Sequence, residues 1–143
     1  MFLMAMDMTD IPLFSMLRSR LGYLSDKQRV IAQNVANAET PGYAPNDLKP
    51  FSFDTAMKAH MTGAMAVTQP GHMALPTSSQ GAAQQKFKAQ KTRDSETTLD
   101  GNSVVLEEEM MKMSDARMNY DAAISFYQKS LNMLRMAARA PGK

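Results

Sequence analysis

Apolar residues recur along two stretches of the chain at alternating steps of three and four. In the first stretch the positions are Phe14, Leu17, Leu21, Leu24, Gln28, Ile31, Val35 and Ala38. In the second they are Leu106, Met110, Met113, Arg117, Tyr120, Ile124, Tyr127, Leu131, Leu134 and Ala138. That period marks a coiled-coil type of helix, apolar along one narrow seam. A seam this narrow cannot bury itself, so each helix needs another helix. Two matching seams, one at each end of the chain, predict an all-α fold. Its two long terminal helices pair as a coiled-coil-like hairpin, joined by a mostly irregular middle segment.

Local signals set the boundaries. Residues 1–11 read as a mobile tail. Asp10 is a plausible N-cap and Pro12 suits a first turn, so the first helix is expected over 12–39. Roughly 28 residues at 1.5 Å each make a rod about 42 Å long, slightly weakened at Gly22. Thr40-Pro41-Gly42-Tyr43 ends it, because proline biases Thr40 away from αR and Pro-Gly at the centre suits a type II turn. Residues 40–100 form the connecting region. There Phe51, Phe53, Met57 and Met61 suggest an anchored loop entering a short helix near 54–62, with Asp54 as N-cap. Beyond Gly63 the chain is rich in Gly, Pro, Ser, Thr and Gln, too polar to offset its ordering entropy, with Phe87 the lone aromatic that could pin it. Asp100-Gly101-Asn102-Ser103 then turns into the second helix, expected over 101–140 with Asn102 or Ser103 as cap. Glu107, Glu108 and Glu109 lie near its positive end, where dipole compensation and solvation explain them.

Several polar residues interrupt or flank the seams. Gln28 and Arg117 each occupy a position that wants an apolar side chain. Paired across an antiparallel hairpin they would fix its register, setting Ile31 near Ser114 and Leu21 near Ile124. Alternatively Arg117 snorkels to solvent and Gln28 faces a gap. Asn34 and Asn37, one turn apart, either lie solvated and help the helix fray, or use their amides to hold the returning chain or a neighbouring subunit. Arg18, Arg20, Lys27 and Arg29 form a basic flank off the seam.

Composition narrows the function classes. A chain of 143 residues suits one modest domain, and a net charge of +2 implies neither a nucleic-acid stripe nor a polybasic membrane patch. Cysteine is absent, which removes disulfides, thiol catalysis and thiolate metal sites. That fits a reducing compartment and equally fits a protein exported unfolded. The 15 methionines suit adaptable interfaces, or simply stand in for leucine. The N-terminus, MFLMAMDMTDIPLF, is interrupted by Asp7 and Asp10 and lacks a positive n-region, so no cleaved signal peptide is expected. No run has the length of a membrane span, so no direct membrane insertion is expected. His60 and His72 read as surface histidines with no ligand cluster around them. No phosphate-cradling loop and no Ser/His/Asp constellation is present, so neither an enzyme nor a cofactor is implied.

Two motifs carry a resemblance. Asn34, Val35, Ala36, Asn37, Thr40, Pro41, Gly42 and Tyr43 match N-[IV]-A-N-x-x-T-P-G-Y, and resemble the N-terminal signature of bacterial flagellar rod and hook proteins. Asp100, Gly101, Asn102, Val104, Leu106, Glu107, Glu109 and Met110 match D-G-N-x-V-x-L-E-x-E-M, similar to the C-terminal region of the FlgB family of proximal rod proteins. Val105 departs from that pattern, where an acidic residue is usual. The resemblance implies a structural rod subunit of the bacterial flagellum, passed through the type III export apparatus and assembled in the periplasm at the rod base. Its partners would be other rod and basal-body subunits, including copies of itself, and its helices would pass torque from the motor for cell motility.

Two other readings use the same residues. One is a different proximal rod subunit of the same axial family, since the first motif is shared. The other is a membrane-surface amphipathic helix protein, against which stands the lack of any helix joining a Lys/Arg-rich face to a Trp/Phe/Leu face. Liposome flotation separates that class from an assembly subunit.

Overall fold

The computed structural model describes residues 11–54 and 87–139. Helix α1 spans Pro12–Ala36, strand β1 Asn46–Leu48, strand β2 Ala89–Lys91 and helix α2 Leu106–Ala138. The two long helices pack against each other as an antiparallel hairpin, all-α in class. Phe14 meets Tyr127 edge-on at 5.4 Å at one end, and Asn34 bonds Glu109 at the other.

Each helix end has a local cause. Pro12 starts α1, its fixed φ and missing N–H costing nothing in the first turn; Ile11 precedes it and offers no side-chain cap. At the other end the Asn37 side chain donates to the Gln33 carbonyl at 2.8 Å, competing with continuation of the helix. The helix therefore stops at Ala36 instead of residue 39. Gly42 then takes φ 71° while the Tyr43 N–H donates to the Thr40 carbonyl at 3.2 Å, the arrangement a type II turn demands. Helix α2 begins at Leu106, later than the expected residue 101, because Asn102 and Ser103 are buried against the other half of the chain and not capping.

The described parts of the connecting region, 40–54 and 87–100, contain two short strands. Strands β1 and β2 pair antiparallel, Asn46 opposite Lys91 and Leu48 opposite Ala89. Phe87 packs edge-on against Tyr23 at 5.1 Å, and Phe51 lies 5.6 Å from the same ring. Burial and then the negative charge of Asp47 push the Tyr23 phenol above its ordinary pKa. Beyond Asp54, the short helix expected over 54–62 lies outside the described residues, as do His60, His72 and the tail over 1–10.

These contacts widen the buried face of α1. Phe14, Leu17, Leu24 and Ile31 of the expected seam are buried and Leu21 and Gln28 are half-buried, but Val35 is exposed. Met16, Tyr23 and Val30 are buried beside them, and Tyr23 and Val30 share a cluster with Leu48 that Phe51 and Phe87 pack against.

On α2 the seam sits differently. Met113, Tyr120, Ile124, Tyr127, Leu131 and Leu134 are half-buried, while Leu106, Met110 and Arg117 are exposed. The fully buried positions are Glu109, Ala116, Ala123 and Ser130, one residue before Met110, Arg117, Ile124 and Leu131. Small side chains at the line of closest approach let the helix backbones come together, and the larger residues fall to either side. Hydrophobicity alone selects the larger ones and so rotates the seam. Ser130 meets its polar requirement within the helix, donating to the Phe126 carbonyl at 2.9 Å. Between the Phe14–Tyr127 and Asn34–Glu109 contacts, Gln28 falls level with Ser114 and not with Arg117. The register is therefore not set by a Gln28–Arg117 pair.

Candidate functional site

At the closed end of the hairpin, the Pro41-Gly42 turn brings the chain back beside the last turns of α1. Asn34 is buried there and its amide is saturated. Its Nδ2 donates to the Asn46 carbonyl at 2.8 Å and to Glu109 Oε2 at 2.9 Å. Its Oδ1 accepts from the Asn46 N–H at 2.9 Å and from the Tyr43 hydroxyl at 3.2 Å. Two donors and two acceptor positions are all a carboxamide has. One side chain thus joins α1, the returning segment and α2.

Asn102 completes the arrangement from the other side. Its Nδ2 donates to the carbonyls of Asn37 at 3.0 Å and Thr40 at 2.8 Å, each of which also accepts one backbone N–H of the turn that follows α1. Its Oδ1 accepts from the Val104 N–H at 2.9 Å. Two backbone bonds lie alongside: Gly42 N–H to the Asp100 carbonyl and Ser103 N–H to the Tyr43 carbonyl, both 3.0 Å. The two glycines face each other at left-handed φ values of 71° and 84°, and a Cβ on Gly101 would lie 3.4 Å from Gly42 Cα. A side chain in that region costs about 1–2 kcal/mol. Gly42→Ala and Gly101→Ala are each expected to lose about that much in urea denaturation.

A charged cluster backs the Asn34 hub. Lys112 Nζ donates to Glu109 Oε1 and to Asp94 Oδ1, both at 2.7 Å. The carboxylates are 0% and 1% exposed, and the lysine 30%. Asp94 Oδ2 also accepts from the Val105 N–H at 2.9 Å, serving the start of α2 from the preceding loop. Burial alone would lower the Lys112 pKa, but its hydrogen bonds to Asp94 and Glu109 and their negative charges outweigh this and raise it. Glu109 is therefore not a solvated partner of the helix dipole, as its place in an acidic triplet suggests. Glu108, by contrast, is half-buried and accepts from the Ser95 hydroxyl. On the surface, the Thr98 hydroxyl and then the Asn102 N–H hold the Asp100 carboxyl below its ordinary pKa. That contribution is present above the ordinary value and is lost as pH falls through the depressed one.

The clasp therefore joins the two sequence motifs. From the first it uses the side chain of Asn34, the carbonyls of Asn37 and Thr40, the Gly42 N–H and Tyr43; Ala36 and Pro41 stay exposed. From the second it uses Asp100, Gly101, Asn102 and Glu109. Asn34 takes the role of holding the returning chain, while the Asn37 side chain serves its own turn. Sequence reasoning misses Lys112 and Asp94. The spacing of Glu109 and Lys112 hints at a pair, but nothing local announces Asp94. Among the described residues no buried side-chain nitrogen or oxygen lacks a partner.

No family model matches the chain. Individual relatives do. It is 31% identical over 136 residues to the flagellar basal body rod protein FlgB of Agrobacterium fabrum, covering 95% of this chain and 99% of the relative. The chain belongs to the FlgB family. The FlgB of Aeromonas hydrophila is 28% identical over 120 residues, 83% of this chain and 86% of its own. That of Escherichia coli is 28% identical over 111 residues, 73% and 77% respectively. Residues of both motifs thus meet in one clasp at the closed end of the hairpin. Among the described residues no helix is long and apolar enough to cross a membrane.

Proposed function

We propose that the chain is a structural subunit of the proximal rod of the flagellar basal body, acting by contact and not by catalysis. The clasp fixes the hairpin, so torque applied to one helix is carried to the other without slippage. Neighbouring rod and basal-body subunits, copies of this chain included, then pack on the faces the hairpin leaves open. The observation that carries this reading is the joining of the two family motifs by buried hydrogen bonds, while α2 keeps Met110, Met111, Met118 and Met136 exposed along its outer surface. Exposed apolar surface of this kind marks an interaction face. Delivery by the flagellar export apparatus belongs to the same proposal and is supported by the family membership.

Electron microscopy of isolated basal bodies tests it. Density for this chain is expected at the base of the rod, and its deletion should leave basal bodies without a rod. Complete rods assembled in its absence would overturn the reading.

A further inference from the structure

Asp100-Gly101 is the one step in the 143 residues where Asp or Asn precedes Gly. That pairing has a chemistry of its own. Glycine sets no side chain beside its amide nitrogen, so the nitrogen can reach the carboxyl carbon of the residue before it. The Gly101 nitrogen bonds Asp100 Cγ and gives up its proton, while the carboxyl hydroxyl takes up a proton and leaves as water. A five-membered succinimide results. One water then opens it at either carbonyl, giving back aspartate or leaving isoaspartate, in which the main chain runs through Cγ. Composition is unchanged at the end, and no oxidant or co-reactant is needed.

The clasp holds every group that this reaction has to move. The peptide unit between the two residues is bonded on both sides. The Asp100 carbonyl accepts from the Gly42 N–H at 3.0 Å, and the Gly101 N–H donates to the Thr98 carbonyl at 2.9 Å. The Asp100 carboxylate accepts from the Thr98 hydroxyl and from the Asn102 N–H, the latter at 3.3 Å. Ring closure needs that peptide unit to rotate and that carboxylate to let go. Both residues are exposed, so it is hydrogen bonding and not burial that stands in the way. The bonds from Thr98 and Asn102 also hold the carboxyl below its ordinary pKa. It therefore stays a carboxylate, whose oxygen is a far poorer leaving group than the hydroxyl of the acid.

We infer that Asp100-Gly101 is the site at which this chain forms isoaspartate, and that the closed clasp holds the reaction off. The step ages only while the clasp is open, in a chain not yet folded or locally unfolded. The consequence falls on the clasp itself. In isoaspartate the carbonyl that Gly42 bonds leaves the main chain and becomes part of a free carboxylate. An extra methylene then separates residues 100 and 101. A chain that has aged in this way no longer presents its second motif to the first at the original spacing.

Purified full-length chain tests this, incubated at neutral pH either native, with helicity confirmed by circular dichroism, or in guanidinium chloride. After removal of denaturant, isoaspartate is counted by methyl transfer from S-adenosylmethionine with a protein isoaspartate methyltransferase. Mass spectrometry of peptides locates it. Accumulation at residue 100 is expected to be at least roughly tenfold slower in the native chain, since opening gives up several hydrogen bonds and one net bond is worth about that factor. Thr98→Val, checked for unchanged helicity, frees the carboxylate and should raise the native rate about threefold while leaving the denatured rate alone. Asp100→Glu keeps the charge but needs a larger ring, so its denatured chain should lose most of the methyl acceptance. Equal rates in native and denatured chain would overturn the inference. So would undiminished methyl acceptance in denatured Asp100→Glu, or a native Thr98→Val chain that ages no faster than the unmodified one.

Discussion

Lys112→Met is expected to destabilise the folded chain by about 3 kcal/mol in urea denaturation followed by circular dichroism. The substitution keeps the aliphatic stem and removes the ammonium between two buried carboxylates, Asp94 and Glu109. Breaking a buried pair by deleting one partner costs roughly 3–5 kcal/mol, because the charge left behind is uncompensated. The lower end applies because the lysine itself is 30% exposed, which lets water approach. The pH dependence has a definite sign. The folded-state pKa of Lys112 is raised, so its contribution is complete below the ordinary lysine value and is lost as pH rises through the raised one. The wild-type chain should therefore lose stability on the alkaline side, and Lys112→Met should flatten that limb. An alkaline limb unchanged in the variant would mean that the cluster contributes little.

Asn34→Leu should be comparably damaging, at about 3 kcal/mol or more, although leucine is nearly the same size and more apolar. It strips partners from the Asn46 N–H and carbonyl, the Tyr43 hydroxyl and Glu109 Oε2 at once. Each buried group left unsatisfied costs about 1–3 kcal/mol, more for a charged one. Asn34→Asp should be worse still, since it loses both donors and sets a second carboxylate against Glu109. The same denaturation experiment checks both. Asn37→Leu provides the contrast: its side chain bonds only the Gln33 carbonyl and Thr40 within its own turn, so a loss near 1 kcal/mol is expected.

The paired helices were legible in the sequence because large apolar residues repeat at helical spacing over long runs. The Pro-Gly stop was legible because its turn chemistry is local. What the sequence hid was set by partners distant along the chain. Ala116, Ala123 and Ser130 line the closest approach of α2, yet nothing about an alanine distinguishes a buried position from a solvated one. Tyr23 and Val30 look like off-seam residues until Leu48, Phe51 and Phe87 arrive to cover them. Strand β2, with its Ala-Gln-Lys sequence, has no β-propensity to declare it; it pairs because β1 is held in place by Asn34. Asn34 itself was singled out by its misfit in a helix. Glu109 was masked by two glutamates beside it, of which neither is fully buried. The resemblance to a family gave both motifs, but only the folded chain shows them bonded to each other.

That bonding is the central claim, and a double-mutant cycle tests it most directly. Asn34→Leu, Glu109→Leu and the double variant are compared with the unmodified chain by urea denaturation. Each single change leaves the partner atom, Glu109 Oε2 or one Asn34 N–H, buried without that bond, whereas the double change removes both ends of it. The loss in the double variant is expected to fall short of the sum of the single losses by about 0.5–3 kcal/mol, the range for residues in direct contact. Additive losses would contradict the account, because the two family motifs would then stabilise the hairpin separately and not through one shared clasp.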